Sequence, residues 1–278
     1  MIYNFRNHSI DFTPALPTLM GIINMTPDSF HDGGEYSTND QALIRAEMMI
    51  ANGAKILDIG GESTRPDAVP VPLEEELRRV VPVVEMLVKR CAGEAIISVD
   101  TLKPEVAAAV LDCGADIIND VSGLSDEMLA VLVKHNCPCY ILTDPGYELE
   151  DGYDDTEMNL SLLPDMLDRF KKKVNLLQNA GISQIIIDPG FGFHKTMADN
   201  YYLLNNLDFF SRLGLPILAG ISHKSMIRKV LPVAAESLGA TLVLNTIAVQ
   251  KGASLLRVHD VPEHQNANAV LEALQKYN

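Results

Sequence analysis

The 278-residue chain has no tryptophan, four cysteines, 6% aromatic residues and far fewer basic than acidic side chains. Each shortage excludes something. Cys91, Cys113, Cys137 and Cys139 lack the spacing of a zinc ribbon and read as reduced, buried thiols. The 22 Lys and Arg against 37 Asp and Glu give a formal charge of −15, a surface that repels phosphate backbones and anionic lipid. No nucleic acid and no membrane partner is therefore expected. No apolar run is long enough to span a bilayer, and no basic-then-apolar leader opens the sequence, so a cytoplasmic location is expected. No Ser/Gly/Pro-rich stretch or charge run marks a linker, and residues 1–278 read as one domain.

What the chain does have is a rhythm. Apolar runs at 19–23, 55–59, 95–99, 116–118, 139–142, 184–187, 217–221 and 254–258 recur down its length, with a helical pattern after nearly every one. Helices are expected over 39–52, 74–90, 104–113, 126–134, 162–180, 199–213, 237–251 and 262–277, several of them stopped by a glycine. Continuous apolar runs suit parallel strands covered on both faces. Eight such units predict an α/β fold, a TIM (β/α)8 barrel, in which all strand C-termini meet at one mouth. The open doubly wound sheet shares the alternation, but the count and the missing glycine-rich or Walker-type loop favour the barrel. Ahead of the first run, 2–5 and 10–12 flank a polar turn and predict an N-terminal β-hairpin that could plug the barrel floor.

The run endings carry the chemistry. Asp100, Asn119 and Asp188 each close a run and should point into the mouth, where carboxylates and an amide can read a flat heterocycle rich in N–H donors. Helix capping toward Pro104 is the alternative for Asp100, and capping of a short turn is the alternative for Asn119 with Asp120. Ser222, Lys224 and Ser225 follow the seventh run, and Arg257 and His259 lie in the eighth; loops after strands seven and eight of a barrel frequently bind phosphate. Arg257 and His259 share one face, inward if Val258 packs outward. A surface lysine at 224 and a structural His259/Asp260 pair are the alternatives. Two polar, turn-rich loops, 24–34 and 60–66, are suited to wrapping an anion or metal. His31, His194 and His223 show no metal-helix spacing, so no protein-only metal site is expected.

Taken together, NMTPDSF, DIGGESTRP, SVDT, INDVSG, DPGFGF, SHKS and RVHDV, in this order, resemble the dihydropteroate synthase family of pterin-binding enzymes over essentially the whole chain. The resemblance implies a transferase of folate biosynthesis, usually a homodimer. It would condense 6-hydroxymethyl-7,8-dihydropterin pyrophosphate with 4-aminobenzoate by a dissociative route, with Mg²⁺ held largely by the leaving pyrophosphate. It assigns Asp100, Asn119, Asp188 and Lys224 to the pterin edge and stacks Arg257 on the ring. Asn24, Thr64, Arg257 and His259 would hold pyrophosphate, Asn24 also reaching Mg²⁺. Phe30, Thr64, Arg65, Pro66, Phe193, Lys224 and Ser225 belong to the substrate sites, the aminobenzoate pocket above all, and Asp100, Lys224, Arg257 and His259 would carry catalysis.

Three departures stand out. His223 replaces the family's common arginine and His194 its common glycine. The fifth run continues as YILTDPGYELEDGY in place of an HMxG-like segment, so pterin contacts at that wall should differ. Two other readings remain: a pterin-binding paralogue with little synthase activity, and a pterin-dependent methyltransferase domain. A methyl carrier offers no pyrophosphate, which would leave Lys224, Arg257 and His259 without a purpose.

Overall fold

The computed structural model describes residues 1–13, 16–25, 38–63, 69–147, 154–231, 233 and 237–277. Strands β1 (Ile2–Asn4) and β2 (Ser9–Asp11) form an antiparallel hairpin pairing Tyr3 with Ile10. Strands β3 (Thr18–Asn24), β4 (Ile56–Gly60), β5 (Ile96–Asp100), β6 (Ile117–Asp120), β7 (Cys139–Thr143), β8 (Ile185–Asp188), β9 (Leu218–Ala219) and β10 (Leu255–Val258) make one sheet in which β10 returns to pair with β3. A parallel bridge between Ile187 and Ile217, with Ile187 N donating to Pro216 O at 3.0 Å, joins β8 to the β9 side. The sheet is the expected TIM barrel.

Helices α1 (Thr38–Ala51), α2 (Leu73–Arg90), α3 (Pro104–Cys113), α4 (Asp126–Lys134), α5 (Leu162–Asn179), α6 (Met197–Asn205), α7 (Ser225–Arg228), α8 (Ser237–Gln250) and α9 (Val261–Lys276) surround it. Local chemistry sets their ends. Proline opens α3 and Gly114, at φ 105°, closes it in a left-handed turn that alanine would resist. Ser125 Oγ accepts from Met128 N at 3.0 Å to start α4. One expectation needs correction: 199–213 is not one helix. Thr196 and Asp199 form a reciprocal capping box that starts α6 at Met197, and the chain breaks at Asn206 before a 3-10 helix, Leu207–Leu213.

Strand alternation sorts the barrel into two apolar clusters. Met20, Ile56, Ile96 and Leu255 point inward and pack with Tyr3, Phe5, Ile10 and Phe12 of the hairpin. Leu19, Leu57, Ile97 and Leu256, one residue along, face the surrounding helices. The hairpin therefore plugs the floor, as expected. Tyr3 Oη donates to Ile185 O at 2.7 Å, Gln184 Nε2 donates to Asn4 O at 2.9 Å, and the Tyr3 and Phe12 rings meet edge to face at 5.3 Å. Burying side chains of this kind stabilises by roughly 1.5–3 kcal/mol each. Among the described residues no helix is long and apolar enough to cross a membrane.

Candidate active site

The register of the strands assembles a polar rim at the C-terminal mouth. Asn24 pairs with Gly60, Gly60 with Asp100 and Asp100 with Asn119, while Thr143 pairs with Asp188. All lie an even number of residues beyond the inward floor positions of their strands, so all face the interior. Gly60 keeps the wall low between its neighbours: a Cβ there would lie 3.7 Å from Asp100 Cβ and 3.8 Å from Asn24 Oδ1.

Arg257 organises this wall. Its neighbour Val258 belongs to the outer core, which turns the arginine inward as strand parity requires. From β10 its side chain reaches past β3, donating from Nε to Asp58 Oδ2 at 2.5 Å and from Nη2 to Asp100 Oδ2 at 2.7 Å. Asp58, fully buried in the middle of β4, also accepts from Ser98 Oγ at 2.6 Å and Asn119 Nδ2 at 3.0 Å. Asp58 closes no apolar run, so strand endings do not point to it. Its signal was there: a lone aspartate inside ILDIG, at inward parity.

The capping alternative holds for Asp120 and falls away for Asp100 and Asn119. Lys103, without a side-chain cap, precedes α3, and the turn after β6 is capped by Asp120, whose carboxylate accepts from Ser122 N at 2.7 Å and Leu124 N at 3.2 Å. Asp100 Oδ1, Asn119 Oδ1 and Thr143 Oγ1 are instead buried with no hydrogen-bond partner. Buried polar atoms are ordinarily satisfied, and three acceptors facing one cavity mouth call for a ligand with donors. Thr143 is the rim residue that β7 contributes. Burial pushes the Asp100 carboxyl up to about 7 against the pull of Arg257, and pushes Asp188 up against Lys224.

On the next side of the mouth, Asp188 Oδ1 accepts from Gly190 N at 2.8 Å. Lys224, the residue before α7, donates from Nζ to Phe191 O and holds that ammonium 4.4 Å above the Phe193 ring. Burial pulls it down to about 8, with Asp188 as its main counter-charge. Lys224 is no solvated surface lysine. Ser225 is exposed at the start of α7.

His259 sits beside Arg257 at the far end. Ser222 Oγ accepts from His259 N at 3.4 Å and meets the ring Nδ1 at 3.0 Å. Burial, then the Arg257 charge, lower the imidazole to about 4, leaving it neutral at pH 7 with one N–H to offer. Asp260 does not pair with the His259 ring. It takes the His223 ring, Nε2 at 2.6 Å, and the two imidazoles meet edge to face at 5.4 Å. His223 and His194 have φ of 55° and 36°, left-handed positions where a side chain is strained.

Among the described residues no three His, Cys, Asp or Glu side chains could share a metal ion. Asn24 offers one rim oxygen. A single protein oxygen fits Mg²⁺, which keeps its waters and takes most of its ligands from substrate phosphates. Phe30, Thr64, Arg65 and Pro66 lie outside the described residues.

Known proteins share the sequence pattern and the fold. A model of the family described as pterin binding enzyme matches residues 20–259. The chain is 41% identical to the dihydropteroate synthase of Bacillus subtilis, covering 96% of each chain. It is 44% identical to a probable bifunctional folylpolyglutamate synthase/dihydropteroate synthase of Haloferax volcanii over 92% of its own length, but spans only 30% of that longer protein. Among solved structures, dihydropteroate synthase of Xanthomonas albilineans with 4-aminobenzoic acid superposes with a TM-score of 0.87 at 37% identity, covering 99% of this chain and 98% of that one. The Yersinia pestis dihydropteroate synthase in a sulfonamide drug complex gives 0.86 at 36% identity, over 100% of both. The chain belongs to the pterin binding enzyme family and, within it, to the dihydropteroate synthases, transferases of folate biosynthesis.

Proposed function

We propose that the barrel mouth condenses 6-hydroxymethyl-7,8-dihydropterin pyrophosphate with 4-aminobenzoate to give 7,8-dihydropteroate and pyrophosphate. The observation that carries this reading is the pairing of two unlike surfaces: unpartnered buried acceptors on Asp100 and Asn119, and the cationic and N–H donors of Arg257 and His259. The first suits the donor-rich edge of an aminopyrimidinone, with Asp188 continuing it. The second suits a pyrophosphate. A methyl-carrying pterin would need only the first.

The reaction is dissociative. The methylene C–O bond breaks and its electron pair leaves with pyrophosphate, whose charge Arg257 and the His259 ring N–H receive. The Asp100 carboxylate stabilises the pterin methylene cation left behind. The amine nitrogen then forms the C–N bond, and its surplus proton passes to solvent. No strong base is needed, because an arylamine is already a neutral nucleophile at pH 7. Lys224 and Phe193 orient the aminobenzoate, the ammonium meeting its carboxylate and the ring its face. Mg²⁺, held by Asn24 and the leaving group, would supply further neutralisation of the pyrophosphate charge.

A homodimer is supported by the apolar outer surfaces of α8 and α9, where Val243, Val270 and Leu274 are exposed. The cytoplasm is the proposed location. The test is direct: the protein with Mg²⁺, the pterin pyrophosphate and 4-aminobenzoate should release pyrophosphate and form dihydropteroate, and a sulfonamide should compete with 4-aminobenzoate. Pterin binding without turnover would defeat the synthase reading.

A further inference from the structure

The residue after β7, Asp144, carries a charge yet is buried. Its carboxylate accepts from Arg169 of α5 twice, Nε at 2.7 Å and Nη2 at 3.1 Å, and from Gly146 N at 2.9 Å. Lys195 Nζ lies 3.9 Å away, its side chain wholly inaccessible. That ammonium donates to three carbonyls: Asp144 O at 3.2 Å, Gly190 O at 3.0 Å and Phe193 O at 3.3 Å. Arg169 extends the cluster outward, donating to Tyr147 Oη at 2.6 Å and stacking on its ring at 4.5 Å.

A buried ammonium is retained only where charges and carbonyls hold it. What Lys195 ties together is the segment after β7 and the loop after β8. That loop contains three left-handed residues, Gly190, Gly192 and His194, and no sheet ladder supports it. The contact between the two segments is close. A Cβ on Gly146 would lie 2.8 Å from Phe193 O, and one on Gly192 would lie 2.9 Å from Lys224 Cδ. Lys224 in turn rests on Phe191 O and over the Phe193 ring. Any shift of the loop therefore moves the two side chains that orient the second substrate.

We infer that Asp144, Arg169 and Lys195 are positioning residues that set Phe193 and Lys224 against the aromatic amine, an inference that rests on the proposed aminobenzoate role of those two side chains. None of the three needs to touch substrate. The cluster touches the pterin half at Asp188, whose carbonyl accepts from Asp144 N at 2.9 Å and whose carboxylate accepts from Gly190 N. Asp58, Asn119 and Arg257, on the opposite wall, share no hydrogen bond with it, so the pterin half should respond much less than the aminobenzoate half.

Steady-state kinetics on the full chain, varying each substrate separately, test this. Lys195→Met should raise the KM for 4-aminobenzoate about tenfold, the scale set by a sub-ångström misplacement, while the KM for pterin pyrophosphate stays within about twofold. Calorimetric pterin binding, measured without aminobenzoate, should stay within the same limit. Arg169→Lys keeps the charge but loses the fork, and should raise the aminobenzoate KM less than Arg169→Gln does. Wild-type turnover is measured first: its absence overturns the functional reading and this inference with it. Turnover with unchanged aminobenzoate KM in Arg169→Gln and Lys195→Met overturns the positioning role alone, as does a parallel loss of both substrates that tracks melting temperature. If Lys195→Met does not fold, the comparison of Arg169→Lys with Arg169→Gln decides, since equal values for the two defeat the inference.

Discussion

Arg257 Nη2 lies 2.7 Å from Asp100 Oδ2, so the cation that would receive pyrophosphate is joined to the carboxylate that would face the pterin. With Nε on Asp58, the guanidinium bridges two buried carboxylates. Removing it strands both. Arg257→Ala should therefore lose about 3 kcal/mol of stability, a fall in melting temperature of roughly 6–12 °C for a chain of this size, together with pterin pyrophosphate affinity. Thermal denaturation beside calorimetry checks it. A large affinity loss with unchanged melting temperature would mean that the bridge contributes nothing to the fold.

The same bridge predicts a pH profile. Burial raises Asp100 to about 7 and lowers Lys224 to about 8. Below the first value the carboxyl gains a proton and stops stabilising the methylene cation; above the second the ammonium loses its proton and its hold on aminobenzoate. The rate constant kcat/KM for aminobenzoate should therefore rise through pH 7 and fall above pH 8, two apparent values belonging to the coupled group. Asp100→Asn should lower kcat about 10²- to 10³-fold, the usual effect of deleting one preorganised electrostatic partner, and flatten the acid limb. An acid limb that persists in Asp100→Asn would assign it to another group.

Floor and mouth should separate. Tyr3→Phe leaves the buried Ile185 carbonyl without its 2.7 Å donor and should destabilise by about 1–3 kcal/mol. Because the hairpin packs at the opposite end of the barrel, both KM values should stay unchanged. Denaturant unfolding and steady-state kinetics on one preparation suffice, and a KM shift would show that the floor reaches the site.

Much of this was legible in the sequence, for identifiable reasons. Asp100 and Asn119 close apolar runs, and strand parity alone turned Arg257 and His259 inward. Asp58 was hidden because it interrupts an apolar run rather than ending one, and only the register of β4 with β5 reveals its company. The pairing of Lys195 and Arg169 was hidden for a different reason: only long-range packing brings Asp144 between them. The 199–213 helix was misread because the capping box at Thr196 and the break at Asn206 are local chemistry that apolar spacing does not register.

Gly192 offers a narrower check. At φ 79° and with Lys224 Cδ 2.9 Å from its missing Cβ, it admits the lysine only because it lacks a side chain. Gly192→Ala should cost about 1–2 kcal/mol in backbone strain and raise the aminobenzoate KM, with pterin affinity intact. Unchanged kinetics for both substrates would show that Lys224 has room to spare.

The central claim is that the mouth has two halves, pterin at Asp100, Asn119 and Asp188, and anion at Arg257 and His259. Calorimetry of Asp188→Asn and His259→Gln with two separate probes, a pterin lacking pyrophosphate and Mg²⁺-pyrophosphate, tests it most directly. Asp188→Asn should lose pterin and keep pyrophosphate, and His259→Gln should do the reverse. Equal losses of both probes in both variants would contradict the division.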